Sequence, residues 1–120
     1  MVVMTITKES QIKGLLDRVH DWWFDAEAVA LDVAGGIVTI ALEPSKRELT
    51  SPSGRGLIVL IAQVREMSIL DTEKIGFYNL NEIHYSNRDK TVRITGGIPI
   101  TIVVRVEGLE IELKLATQEG

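Results

Sequence analysis

Apolar and polar residues alternate almost without interruption across the last third of the chain. Every even-numbered residue of 98–106 is isoleucine or valine, and every odd-numbered residue of 109–115 is leucine or isoleucine. Because successive side chains of a β-strand point to opposite faces, the pattern predicts two strands that are each buried on one side. Glu107-Gly108 separates the two runs. We therefore expect an antiparallel hairpin with a two-residue loop, in which Val104 lies opposite Ile111.

A glycine pair predicts another hairpin earlier in the chain. Paired glycines supply the positive φ angles that a two-residue type I′ turn requires. With Gly35 and Gly36 as that turn, Leu31 lies opposite Ile40, and one face of the hairpin carries only leucine, isoleucine and valine. This register is the one that we expect.

The chain contains one convincing amphipathic helix, which is predicted over residues 8–20. Thr7 is a candidate N-cap, since its hydroxyl can accept a hydrogen bond from the first turn. The helix carries a stripe of apolar residues with a period of 3.6, at Ile12, Leu15, Leu16 and Val19. Residues 57–62 are apolar at every position. We expect this strand to be covered on both faces, and the helix is the obvious cover for one of them.

The middle of the chain predicts further strand pairs. A turn over residues 71–74, opened by an aspartate that can bond nearby backbone amides, is expected to join two strands as a hairpin. Asparagines at 79 and 81 interrupt an apolar face, which predicts a β-bulge over residues 79–81. After Tyr85 a loop of two or four residues keeps the apolar faces aligned. A three-residue loop at 95–97 would then place Ile94 opposite Ile98.

These elements together predict an α+β fold. We expect the N-terminal helix to be followed by about seven antiparallel strands over residues 24–116, in a meander that curves into a half-barrel or a small open barrel. A chain of 120 residues fits a single domain, here predicted over residues 1–120. The loop over residues 43–56 is long for a compact domain, which is typical of a functional or mobile segment.

Composition excludes several classes of function. The net charge of −4 argues against binding to nucleic acid or to an anionic membrane surface, both of which favour basic proteins. The longest apolar run has six residues, too few to span a bilayer, and no signal peptide is expected at the start. The chain has no cysteine, which is compatible with the cytoplasm, where we expect the protein to act.

Four titratable residues are candidates for acid–base or metal chemistry. His20 and Asp21 follow the helix, and Glu82 and His84 alternate on one face of a later strand. Two histidines with nearby carboxylates could bind a divalent metal or divide the roles of acid and base. Adjacent residues on a regular element diverge, however, and two ligands do not complete a site. We therefore expect no resident metal or cofactor.

Four other residues are candidates for binding. Trp22 and Trp23 begin an aromatic run in which alternation places neighbouring rings on opposite faces, so at least one large ring can lie at the surface. Tyr78 is expected near the mouth of a curved sheet. Arg55 lies in a Ser-Gly-Arg-Gly segment whose backbone amides could cradle an anion, although the motif lacks the lysine and serine or threonine of a P-loop.

These observations favour a non-enzymatic interaction or regulatory module that acts through self-association or a protein partner. The aromatic run and the apolar strand over residues 57–62 motivate this hypothesis. The outward-facing residues of the last two strands offer an alternative patch, consisting of Thr101, Val103, Arg105, Glu110 and Glu112. A second hypothesis is a curved sheet that binds a small apolar ligand beside Trp22 or Trp23 and Tyr78. A third is a metal-assisted or acid–base enzyme that uses the four titratable residues.

Overall fold

The computed structural model describes residues 2–116, and Met1 and residues 117–120 of the predicted domain lie outside the described residues. Within that range there is one α-helix, α1 (Ile12–Val19), which follows a 3₁₀ turn at Glu9–Gln11. Further 3₁₀ turns occur at Ala26–Ala28 and Lys46–Leu49. The strands are β1 (Val2–Ile6), β2 (Trp23–Asp25), β3 (Ala30–Asp32), β4 (Ile37–Leu42), β5 (Leu57–Ile61), β6 (Val64–Leu70), β7 (Phe77–Ser86), β8 (Thr91–Gly96), β9 (Thr101–Val106) and β10 (Ile111–Leu115).

The strands form two five-stranded antiparallel sheets, one of which curls as a half-barrel. The first sheet has the order β1-β10-β5-β4-β3, and the second has the order β2-β7-β8-β9-β6. The predicted α+β fold with a curved antiparallel meander is therefore confirmed, with ten strands among residues 2–116 instead of about seven.

The helix and the inner faces of both sheets share one apolar core. Ile12, Leu15 and Val19 of α1 are buried in it, and the helix contacts β1 and β7. The expectation that residues 57–62 are covered on both faces is wrong, because only Leu57, Val59 and Ile61 of this segment are buried in the core. The N-cap predicted at Thr7 also differs from the structure. The Gln11 side chain accepts hydrogen bonds from the backbone N–H groups of Thr7 and Lys8. No helix among residues 2–116 is long and apolar enough to cross a membrane.

The predicted hairpin at the end of the chain is wrong, because its two strands belong to different sheets. Val104 is paired with β6 and β8, whereas Ile111 is paired with β1 and β5. The connection after β9 crosses beside the connection between β5 and β6. There the Glu107 N–H donates to the Gln63 carbonyl at 2.8 Å, and the Gln63 side chain donates to Glu110 at 2.8 Å. The two connections that cross between the sheets are therefore hydrogen-bonded to each other.

Three of the other predicted connections differ from the structure. β6 pairs with β9 at the far edge of the sheet and does not form a hairpin with β7. Asp71 does close the turn between them, by accepting from the Lys74 N–H at 2.9 Å. In the β3–β4 hairpin Leu31 lies opposite Val38, which lengthens the loop to residues 33–36. Ile94 of β8 lies opposite Ile102 of β9, four residues beyond the predicted partner.

Two predictions about β7 are confirmed. The register between β7 and β8 shifts between Leu80 and Glu82, at the predicted bulge. The shift brings Leu80 and Ile83 onto the same buried face, although they are three residues apart. The β7–β8 loop has the four-residue form, over residues 87–90, and Tyr85 lies opposite Val92.

Candidate functional site

The turn after α1 joins His20 and Asp21 instead of separating them. Asp21 adopts a φ of 70°, and its backbone N–H donates to the Leu80 carbonyl at 2.8 Å. His20 Nδ1 lies 3.3 Å from Asp21 Oδ2, and the Asn79 amide donates to Asp21 Oδ1 at 3.2 Å. The expectation that these neighbours diverge is wrong because this turn is not a regular element. Both side chains are exposed to solvent, which leaves this contact weak.

Glu82 and His84 lie on the outer face of β7, where both are exposed. Glu82 is opposite Thr95 of β8, and His84 is opposite Arg93. Over residues 2–116 neither side chain is hydrogen-bonded or ion-paired to His20 or Asp21. The same residues contain no group of three histidine, aspartate or glutamate side chains that could hold a metal ion. The structure therefore does not join the four titratable candidates into one site.

The aromatic run splits between core and surface as its alternation predicts. Phe24 is fully buried and Trp22 packs against the core, whereas Trp23 is half-buried on the other side of β2. The backbone of Trp23 exchanges two hydrogen bonds with Glu43, at 2.8 and 2.9 Å. Lys46 Nζ lies 5.8 Å from the centroid of the Trp23 ring. The ring of Trp23 is therefore partly exposed, and the ammonium group of Lys46 lies over it.

Tyr78 is a core residue, which differs from its predicted position at the mouth of the sheet. It is 1% exposed, and its ring centroid lies 6.1 Å from that of Phe24. Its hydroxyl donates to Asp71 and accepts from the Ile75 N–H at 3.2 Å. Burial, together with the hydrogen bond to Asp71, raises the pKa of Tyr78 above its ordinary value. The side chain ties the 71–76 connection to the core.

Arg55 is bound to a carboxylate of its own loop. Arg55 Nη2 lies 2.9 and 3.0 Å from the two oxygens of Glu48, which also accept from the hydroxyls of Ser45 and Ser53. The hydroxyls of Ser53 and then Ser45 are the largest causes that lower the pKa of Glu48 below its ordinary value. The Arg55 guanidinium, which could have added charge to an anion site in this segment, is therefore paired with Glu48.

Glu43 lies beside this cluster and is partly exposed, but its Oε1 is the one buried side-chain oxygen or nitrogen among residues 2–116 that has no hydrogen-bond partner. A Cβ atom at Gly56 would come within 2.7 Å of its other oxygen. Burial, and then the negative charge of Glu48, raise the pKa of Glu43. Of the residues singled out in the sequence, Trp23 and Arg55 both border Glu43. The fold thus brings two of the predicted binding residues into one region.

The outer face of the first sheet carries apolar residues that do not pack against the core. This apolar face consists of Ile37, Ala41, Ile58, Leu60 and Ala62, on β4, on β5 and immediately after β5. Ile58 lies between Lys114 and Ala41, and Leu60 lies between Glu112 and Thr39. A depression of about 190 Å³ on this face also reaches Glu110. The strand that is apolar at every position is therefore covered on one side only.

Part of the outer face of the second sheet carries a cluster of arginines. A cleft of about 490 Å³ is lined by Arg88, Asp89, Thr91, Arg93, Val103 and Arg105, and we call it the arginine cleft. Sequence reasoning singled out Arg105 but missed Arg88 and Arg93. Their convergence depends on the register between β8 and β9, which the sequence did not predict correctly. The alternation in β8, which directs Arg93 outward, is the signal that could have identified it.

Comparison of the chain with models of known protein families, with curated proteins and with solved structures finds no match in any of the three.

Proposed function

We propose that this protein is a non-enzymatic interaction module that acts as a homodimer, with the apolar face as the dimer interface. The observation that carries the proposal is the pair Ile58 and Leu60, which point away from the core on the central strand of the first sheet. Contiguous apolar surface with a polar rim is characteristic of protein–protein contact sites. Two such sheets can pack face to face about 10 Å apart.

The charges on β10 favour a second copy as the occupant. Glu112 and Lys114 flank the apolar face and lie two residues apart on the same side of their strand. A two-fold axis that runs across the strands, between Ile58 and Leu60, reverses the direction of β10 in the second copy. Each Lys114 then lies over Glu112 of the second copy, and each Ile58 over its Leu60. The face is therefore complementary to itself, as a two-fold interface requires.

The size of the face indicates a weak dimer. Five strands at about 4.8 Å spacing and rows of about five residues at about 3.3 Å give the whole outer face of the sheet a flat area of about 400 Å², of which the apolar face is a part. Stable complexes bury about 800 Å² on each partner. The dimer is therefore concentration-dependent, and we propose a dissociation constant in the micromolar range. The cysteine-free chain can form it in the reducing cytoplasm, where we propose that the protein acts.

Sedimentation velocity over a concentration series tests the proposal. The sedimentation coefficient of the wild type is expected to rise with concentration from that of a 13.3 kDa monomer to that of a dimer. Leu60→Asp places a carboxylate in the centre of the interface and weakens the dimer at least tenfold. Leu70→Asp is the matched control, because Leu70 is 66% exposed and lies in the other sheet. A monomer at every concentration, or equal loss in both variants, overturns the proposal.

Charge reversal on β10 separates this interface from a general apolar contact. Lys114→Glu sets two carboxylates against each other and weakens the dimer. The double variant Lys114→Glu with Glu112→Lys exchanges the two charges and restores dimerisation. If Lys114→Glu dimerises like the wild type, or the double variant is as weak as the single one, the proposed two-fold arrangement is wrong.

A further inference from the structure

We propose that the arginine cleft binds the phosphate group of a small soluble ligand. The cleft lies on the outer face of the second sheet, and it is independent of the proposed dimer interface on the first. It is an open depression of about 490 Å³, in which a small group can lie against the sheet. It holds three guanidinium groups and one carboxylate, in a chain whose net charge is −4.

Strand register makes the guanidinium groups converge. Thr91 of β8 lies opposite Arg105 of β9, and Arg93 lies two residues further along β8, opposite Val103. Arg93 and Arg105 are thus diagonal neighbours on one face, a relation that places Cβ atoms about 7 Å apart. Side chains as long as arginine can reach a common anion from that separation. Arg88 approaches the same space from the loop over residues 87–90.

Among residues 2–116 the guanidinium groups of Arg88 and Arg93 have no side-chain partner. Neither forms a hydrogen bond or ion pair with another side chain of the described part of the chain. Arg105 donates a hydrogen bond to Glu66 from Nη1 at 3.4 Å. The carboxylate of Asp89 accepts from Ser86 at 3.3 Å and forms no ion pair with these arginines. The guanidinium groups of Arg88 and Arg93 therefore remain available to an external anion, as do the N–H groups of Arg105 that do not contact Glu66.

Guanidinium chemistry favours a phosphate. The planar fork of arginine donates two parallel hydrogen bonds to phosphate oxygens, and a phosphate monoester carries nearly two negative charges at neutral pH. Two or three adjacent arginines match that charge. A neighbouring depression of about 190 Å³ shares Asp89, Thr91 and Arg93 with the cleft and is also lined by His84 and Ser86. This depression offers space for the rest of the ligand, with the imidazole of His84 beside it.

Nuclear magnetic resonance of the ¹⁵N-labelled full chain tests the proposal with inorganic phosphate at constant ionic strength. Saturable shifts are expected for the amides of Thr91, Arg93, Val103 and Arg105, and a chloride titration is expected to produce no saturable shift. Shifts that grow linearly with phosphate, or that chloride reproduces, overturn the proposal. A second outcome also overturns the proposal: the protein shows no saturable phosphate shift but sediments together with vesicles that contain phosphatidic acid. The arginines would then bind a lipid surface and not a small soluble ligand.

Three variants locate the site. Arg93→Gln is expected to weaken phosphate binding at least tenfold. Arg18→Gln is the matched control and is expected to change it less than twofold, because Arg18 is exposed on α1 and has no ion pair within residues 2–116. Asp89→Asn removes the one carboxylate that lines the cleft, and so tightens binding severalfold. Unchanged affinity in both Arg93→Gln and Asp89→Asn overturns the assignment.

Discussion

Glu43 and Glu48 interact through their charges, yet their surroundings move their pKa values in opposite directions. Burial and the charge of Glu48 raise the pKa of Glu43. The hydroxyls of Ser53 and Ser45, and the guanidinium of Arg55, lower the pKa of Glu48. The loop over residues 43–56 therefore favours the ionised form of Glu48 and disfavours the ionised form of Glu43. The two effects on stability can be separated by pH.

Glu43→Gln should stabilise the protein near neutral pH. A pKa raised in the folded state means that protonated Glu43 favours folding. This contribution is complete below the ordinary value of 4.5 and is lost as the pH rises through the folded pKa. A neutral glutamine avoids the loss. Thermal unfolding between pH 4 and pH 7 should show a higher Tm for Glu43→Gln at pH 7 and a smaller gain at pH 4. Glu73→Gln, at an exposed position, controls for net charge. A lower Tm at pH 7 would contradict the prediction.

Ser53→Ala should have the opposite pH dependence. The depressed pKa of Glu48 contributes stability that is present above 4.5 and is lost as the pH falls through the folded pKa. Removing the Ser53 hydroxyl removes part of that contribution. We expect a lower Tm at pH 7 and a difference that shrinks toward pH 3. Ser51→Ala is the matched control in the same loop. Equal Tm deficits at both pH values would show that the hydroxyl acts independently of the ionised carboxylate.

Tyr78→Phe should lower the urea midpoint of unfolding, because it leaves Asp71 and the Ile75 N–H without their hydroxyl partner. Tyr85→Phe provides the comparison, since Tyr85 is 5% exposed and its hydroxyl forms no hydrogen bond with any of residues 2–116. We expect the midpoint of Tyr85→Phe to stay close to that of the wild type. Equal midpoints for the two variants would mean that the Tyr78 hydroxyl does not stabilise the connection.

Leu15→Ala should destabilise the protein by about 2–5 kcal/mol, the usual effect of emptying a fully buried leucine site. Leu15 is 0% exposed, which makes it a test of whether α1 belongs to the shared core. Leu70→Ala, at an exposed leucine, is expected to change the free energy of unfolding by about 0.5 kcal/mol or less. Chemical denaturation measures both. A small effect at Leu15 would indicate that the helix is not part of the core.

The sequence predicted which residues face the core better than it predicted which strands are neighbours. Alternation directs Val104 and Ile111 inward, and both are buried. The same alternation is expected whether the two strands pair with each other or belong to facing sheets. It therefore could not distinguish the predicted hairpin from the observed connection between sheets. The register of Leu31 is a similar case, because a shift of two residues leaves every side chain on the same face. The bulge in β7 was predictable because there the pattern itself breaks.

The candidate surfaces were predictable to different degrees. The apolar strand over residues 57–62 indicated surface in need of a cover, and the error lay in expecting both of its faces to be covered. The arginine cleft was not predictable, since its residues come from β8, β9 and a loop whose alignment depends on register. The titratable candidates lie in two separate places: His84 lies opposite Arg93, while His20 contacts Asp21.

The most direct test of the account is an isotope-filtered NOE experiment on a mixture of labelled and unlabelled protein. In such a mixture only contacts between different copies give signals. The proposed two-fold interface predicts cross-peaks between the methyl groups of Ile58 in one copy and Leu60 in the other, at concentrations where sedimentation shows a dimer. A dimer without these cross-peaks, or a chain that remains monomeric throughout, would contradict it.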